Sequence, residues 1–147
     1  MCYYTSEMAC PHFRPTELRL RDPAPQHAMF PLGDVWAGTC DAGPVPAAPD
    51  ESLLVRCNLG YARGACVRLQ DADGPDSIRF SVSQDEGGLI RLYYVVERDH
   101  HPYAHGPLAF DTGRGEFTDP PPDENLRLQA RAYLSSYLRR KAEAPVR

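Results

Sequence analysis

Ile78-Arg79-Phe80-Ser81-Val82-Ser83 is a stretch in which apolar and polar side chains alternate strictly. Such alternation has the two-residue period of a strand that buries one face. The polar, glycine-ending segment 84–88 predicts a turn, and the run from Leu89 to Glu97, rich in branched and aromatic residues, predicts a second strand. We therefore expect an antiparallel β-hairpin at the centre of the fold.

The residues after this hairpin extend the predicted sheet. We expect a third strand at Pro107 to Asp111, once the chain has passed a turn over 99–106. The glycines of Gly113-Arg114-Gly115 then predict a turn into a short fourth strand at Glu116-Phe117. Together these segments form a small antiparallel sheet over residues 76–118.

A C-terminal helix is predicted over residues 123–142. It follows three prolines, and acidic residues stand at its positive end while basic residues stand at its negative end. Its apolar side chains recur with the 3.6-residue period of a helix and should pack on one face of the sheet, which makes the fold class α+β. These side chains are Leu126, Ala130, Tyr133, Leu134, Tyr137 and Leu138.

The N-terminal half, residues 1–70, is predicted to be rich in loops. Prolines are so frequent before residue 50 that a continuous helix or central strand is hard to fit between them. Buried-type residues such as Phe13 and Trp36 indicate that this half wraps onto the core of a single domain, residues 1–147. One short helix is expected at Glu51 to Leu59.

All five cysteines lie in this weakly cored half, and four of them, Cys10, Cys40, Cys57 and Cys66, are the candidate ligands. Because a loop-rich stretch buries little apolar area, we expect a metal or cluster to offset the entropy cost of ordering it. Intervals of 29, 16 and 8 residues contain no C-x2-C pair of the kind typical of structural zinc sites. A [4Fe-4S] cluster accepts thiolates from widely separated segments, so the spacing favours a cluster over zinc.

Zinc bound by the same four cysteines is the alternative, and a third interpretation makes the cysteines small buried apolar residues. Residues between the last two cysteines suit a shielded anionic site, since Asn58, Tyr61 and Arg63 could surround the sulfurs with polar groups and a ring. The role of Cys2, near the start of the chain, is left open.

Four cysteine ligands leave no position open for a substrate, which argues against catalysis. The predicted roles are therefore electron transfer, redox sensing or a cluster-stapled interaction with another protein. A cluster without a second redox centre must pass its electrons on, so a redox or protein partner is expected. Self-association is left open.

His100, His101 and His105, in the segment after the second strand, are the candidates for a competing metal site. Three imidazoles next to a carboxylate could bind a metal or move protons near neutral pH, as in a metal-assisted enzyme. Pro102 and Gly106 predict a turn here, whereas a His-x3-His pair needs a helix to place both rings on one face.

Composition limits the remaining classes of function. The 147 residues are 42% hydrophobic and 24% charged, with a net charge of −4, which does not favour nucleic acid as a partner. We find neither an apolar run long enough to span a bilayer nor a signal-peptide pattern, so we expect a cytoplasmic protein without a membrane span. Phosphate-loop, dinucleotide and nucleophile-elbow motifs are missing.

Overall fold

A computed structural model of the protein describes residues 9–11, 13–20, 32, 34–40, 77–98, 101–119, 121 and 123–143. Within these ranges the fold is α+β, with two antiparallel sheets and one C-terminal helix. The strands and the helix are β1 (Phe13–Leu20), β2 (Val35–Cys40), β3 (Ser77–Glu86), β4 (Leu89–Arg98), β5 (His101–Asp111), β6 (Glu116–Phe117) and α1 (Glu124–Glu143).

The predicted hairpin is confirmed as the pair β3 and β4. Phe80 lies opposite Tyr94, and the ladder continues to the pair Glu86 and Leu89. The turn is shorter than predicted: only Gly87 and Gly88 form it, with φ angles of 66° and 80°. Two successive residues with positive φ match the right-handed twist of the flanking strands, and glycine adopts that conformation without strain.

The third strand is longer than predicted, because β5 begins at His101 and the prediction of a turn over 99–106 is wrong for its described residues. Pro102 lies at a register shift of the β4–β5 ladder, where a missing N–H group is tolerated. Gly106 also belongs in the strand, since a Cβ there would lie 3.3 Å from the ring of Tyr94. The glycine serves close packing between strands and does not end the strand.

The predicted fourth strand is confirmed as β6, which pairs with the end of β5. Phe110 lies opposite Phe117, and their rings pack edge to face with centroids 5.2 Å apart. The connecting turn is closed by the Asp111 carboxylate, which accepts hydrogen bonds from the backbone N–H groups of Gly113 and Arg114. The sheet order is therefore β3-β4-β5-β6.

The C-terminal helix α1 matches the prediction to within one residue at each end. Its apolar stripe packs on the large sheet: Leu126, Ala130 and Leu134 are buried, and the ring of Tyr133 lies 5.6 Å from that of Phe80. Burial of this stripe against the sheet contributes the usual hydrophobic stabilisation of an amphipathic helix. Among the described residues, no helix is both long and apolar enough to cross a membrane.

The small sheet of β1 and β2 was not predicted. The loop assignment is wrong for residues 13–20 and 35–40, where Phe13 pairs with Cys40 and Leu18 with Trp36. Pro15 is accommodated because it borders a register shift in this ladder, and a two-stranded sheet consists of edge strands. Proline content was therefore a poor guide to this segment. The predicted helix at 51–59 lies outside the described residues.

One hydrophobic cluster joins the two sheets to the helix. It contains Phe13 from β1, Ile78 and Leu92 from the large sheet, and Leu134 from α1, all nearly inaccessible to solvent. The backbone of Ala9 adds a bridge to Ile78, with hydrogen bonds of 2.7 and 2.8 Å in the two directions. The described part of the N-terminal half thus docks on the hairpin sheet, as its buried-type residues predicted.

Candidate functional site

Cys10 and Cys40 lie at the same end of the β1–β2 sheet. Cys40 is directly opposite Phe13 in the ladder, and the N–H of Phe13 donates a 3.0 Å hydrogen bond to the carbonyl of Cys10. A directly paired residue is about 5 Å away, and a turn of this type spans less than about 7 Å, so the two cysteine Cα atoms lie within about 12 Å of each other. The fold brings together two cysteines separated by 29 residues of sequence.

Both cysteines are shielded from solvent, with 3% of Cys10 and 4% of Cys40 exposed. Phe13 is fully buried, and its backbone is paired with Cys40 and hydrogen-bonded to Cys10. Such burial is compatible with a shielded thiolate site and equally with the third interpretation, in which cysteine acts as a small apolar residue. Cys10 lies in the turn before β1 and Cys40 ends β2, so the two buried cysteines come from separate segments of the chain.

Gln129 of α1 holds the Cys10 turn in place, a contact that the sequence did not reveal. Its Nε2 donates hydrogen bonds to the carbonyls of Cys10 at 2.7 Å and of Phe13 at 2.8 Å. Since both partners are acceptors, the orientation of the amide is determined by its hydrogen bonds. A glutamine inside an otherwise apolar helical stripe was the available clue, and its side chain is fully buried.

The other predicted ligands, Cys57 and Cys66, lie outside the described residues. The same is true of Cys2 and of the proposed surrounding residues Asn58, Tyr61 and Arg63. In the ranges that the structure describes, no three His, Cys, Asp or Glu side chains form a group able to hold a metal ion. The described structure therefore contains half of the predicted four-cysteine set.

The predicted histidine site is placed on a strand. His101 and His105 are exposed on β5, opposite Arg98 and Val95 respectively, and His100 lies outside the described residues. The Nδ1 atom of His105 shares a short hydrogen bond with the hydroxyl of Tyr93, and the two rings lie 5.7 Å apart. His105 is thus oriented by a neighbouring strand, and a histidine site with all three rings stays a prediction.

A buried carboxylate network lies at the other end of α1. The Asp34 side chain is 1% exposed. Its carboxylate accepts a 2.6 Å hydrogen bond from the hydroxyl of Ser136 and forms a 2.7 Å ion pair with Arg139. A buried carboxylate needs such partners because the charged form is poorly solvated inside a protein. No periodic pattern marks Asp34 in the sequence, so this tie between the N-terminal half and the helix was not predicted.

A second carboxylate, Asp85, is bound from the same end of the helix. Tyr137 donates a 2.8 Å hydrogen bond to it and Lys141 forms a 2.7 Å ion pair. These partners hold the pKa of Asp85 below its ordinary value, with the Lys141 hydrogen bond as the main cause. Burial, followed by the contact with Asp85, raises the pKa of Tyr137 to about 12. Asp85 thus ties the end of β3 to the last turns of the helix.

The fold and these contacts define an α+β protein in which one helix links a two-stranded and a four-stranded sheet. Comparison with known proteins adds no relative: the chain matches no family model, and neither a curated protein nor a solved structure is significantly similar to it. Its function must therefore be argued from its own residues.

Proposed function

We propose that this protein binds a [4Fe-4S] cluster through Cys10, Cys40, Cys57 and Cys66. The observation that supports the proposal is the position of Cys10 and Cys40, each buried and both near one end of the β1–β2 sheet. Electron transfer, redox sensing or cluster-stapled binding of another protein are the functions that such a site serves.

The described residues at this end suit a shielded anionic group. Phe13, which lies opposite Cys40 and is hydrogen-bonded to Cys10, is a fully buried ring that limits access of water, and Arg14 follows it in β1. Arg14 pairs with Glu124 at 2.9 Å, so its charge is partly used in holding β1 to the start of the helix. The thiol donor set is the one that iron-sulfur clusters require, and deprotonated cysteines are their usual ligands.

Zinc on the same four cysteines is the alternative, and it predicts a structural adaptor rather than a redox protein. The two proposals share their ligands and differ in the metal. Either site would need reduced thiols before the metal binds, so we propose a reducing compartment, the cytoplasm, as the location. We also propose a redox or protein partner, because a lone cluster needs another centre with which to exchange electrons.

The first test is the metal content of protein purified without oxygen. The cluster proposal predicts brown protein with about four irons and a similar amount of acid-labile sulfide per chain. Replacement of a ligand, Cys10→Ser or Cys40→Ser, should lower the iron content strongly, since serine is a poor ligand for these clusters. Cys2→Ser should retain the iron if Cys2 is outside the ligand set, and loss of iron in this variant would make Cys2 a ligand.

Colourless protein that carries one zinc per chain would contradict the cluster proposal and support the zinc alternative. Wild-type protein that binds neither metal, after reconstitution with iron and sulfide and separately with zinc, would contradict both proposals. Because the wild-type measurement does not depend on a variant, it remains decisive even if Cys10→Ser fails to fold.

A further inference from the structure

A cleft separate from the cysteines lies between the two-stranded sheet, the helix and the turn before β6. Its volume is about 610 Å³. Small-molecule sites usually have volumes of about 300–1,000 Å³ and walls that are mostly apolar. The cleft is therefore large enough for a ligand, and its position does not depend on any metal site.

The walls of the cleft come from all three elements. Trp36 of β2 and Pro15 of β1 form one side, and Phe110 of β5 forms another. Leu128 and Leu138 of α1, both half-buried, contribute aliphatic surface. An apolar chain placed here would exchange contact with water for contact with rings and methyl groups, which is favourable by the hydrophobic effect.

Arg131 gives the cleft its charge. It is the one charged side chain among the described residues that line the cleft. Its guanidinium lies 5.9 Å from the centroid of the Phe110 ring and donates a 3.1 Å hydrogen bond to the carbonyl of Gly115. A guanidinium has five N–H donors, so donors remain for a ligand after this bond is made. The two contacts restrict the side chain before any ligand arrives.

A positive group at an apolar cleft whose described lining contains no acidic side chain selects for an anion with a hydrophobic body. We propose that this cleft binds an amphipathic monocarboxylate, with the carboxylate on Arg131 and the apolar chain between Trp36, Phe110 and the helix. The fork of N–H groups on arginine matches the two oxygens of a carboxylate. The hydroxyl of Ser135, exposed at the same lining, is a further group that can donate to it.

Trp36 provides a direct test, because it is the only tryptophan of the chain and lines the cleft. Decanoate, added below the concentration at which it forms micelles, should shift the emission of Trp36 in a saturable manner. Decyltrimethylammonium has the same chain with the opposite charge and should bind much more weakly. Equal binding of the two probes, or no saturable shift with decanoate, would overturn the proposal.

Two variants locate the binding. Arg131→Gln removes the charge and should weaken decanoate binding about five- to tenfold, as expected for a lost charge-assisted hydrogen bond at an exposed position. Arg127→Gln, on the same helix but paired with Glu124 at 3.6 Å, is the matched control and should bind normally. If Arg127→Gln weakens binding as much as Arg131→Gln does, decanoate is attracted by the general positive charge of the helix, and the proposed site at Arg131 is contradicted.

A space-filling change tests the cleft itself. Ser135 is exposed, so Ser135→Phe should leave the fold intact while its ring occupies the cleft and abolishes the Trp36 response. Ser135→Ala is the control and should retain most of the binding. Normal decanoate binding by folded Ser135→Phe would contradict the location, and the charge test with Arg131→Gln stands independently of this variant.

Discussion

Asp34 is a charged residue whose side chain is buried and paired. Its carboxylate is almost completely buried, and its bonds to Ser136 and Arg139 connect the start of β2 to the last turns of the helix. A second arginine, Arg140, lies 3.8 Å away. Removal of one member of a buried charged group is costly because the remaining charges lose their partner but stay poorly solvated.

We predict that Asp34→Ala lowers the free energy of unfolding by about 3 kcal/mol. The measurement is urea unfolding followed by circular dichroism at neutral pH. Glu116→Ala is the control, because Glu116 and its partner Arg114 are both more than half exposed, and such pairs contribute about 0–1 kcal/mol. Equal unfolding midpoints for the two variants would show that burial of Asp34 does not determine its contribution.

Tyr137 makes stability depend on pH at the alkaline end. Its folded-state pKa of about 12 exceeds the ordinary value of 10.0, so the neutral phenol is favoured by folding. The stabilising contribution is therefore complete below about pH 10 and is lost as the pH rises towards 12. For Asp85 the pKa is lowered, so its contribution is present above the ordinary value of 3.8 and is lost as the pH falls below it.

We predict that Tyr137→Phe costs about 1 kcal/mol at neutral pH, the usual contribution of one hydrogen bond. The difference in stability between wild type and variant should shrink between about pH 10 and pH 12, because the phenol then ionises in the unfolded wild-type chain while it stays mostly neutral in the folded protein. Denaturant unfolding at several pH values measures both proteins in parallel, which cancels the titration of other groups. A difference that stays constant over this range would contradict the assignment of the raised pKa to Tyr137.

At the scale of elements, the β1–β2 ladder depends on one close approach of two backbones. Gly38 lies opposite Pro15, and a Cβ at Gly38 would overlap the carbonyl oxygen of Arg14 and lie 2.9 Å from the Cα of Pro15. Its φ angle is not in the left-handed region, so the requirement for glycine is one of space. The neighbouring atoms belong to the backbone and cannot rotate away.

We predict that Gly38→Ala destabilises the protein by at least about 2 kcal/mol, because the two strands must move apart. Gly113→Ala is the matched control: its Cβ would meet only the Asp111 carboxylate, at an ordinary contact distance of 3.4 Å. That change should alter stability by less than about 0.5 kcal/mol. Thermal unfolding of both variants measures the difference, and a neutral Gly38→Ala would contradict the close approach.

The strands and the helix differ in how far they could be predicted from the sequence. The hairpin and α1 are marked by local periodicity, two residues for the strands and 3.6 for the helix, and short connections determine how these segments pair. The β1–β2 ladder has no such mark. Its strands are separated by a long connection, and Pro15 argues against a strand unless the register shift beside it is known. Long-range pairing of this kind cannot be derived from local pattern.

At the scale of the whole molecule, α1 is the element on which both sheets meet. Its apolar stripe packs on the large sheet, Gln129 binds the turn of Cys10, and Arg139 binds Asp34 ahead of β2. The candidate cysteines could be named from composition, but the contact that positions Cys10 could not, since Gln129 lies 119 residues away in sequence. The cysteine end is thus held by the most regular part of the fold.

X-ray absorption at the iron edge, on wild-type protein purified without oxygen, tests the cluster proposal most directly. We predict that each iron has a first shell of sulfur atoms and a second shell of iron atoms, which is the pattern of a cubane held by cysteine thiolates. Absence of iron, or iron surrounded by nitrogen and oxygen without a neighbouring iron, would contradict the central claim that Cys10 and Cys40 belong to a cluster site.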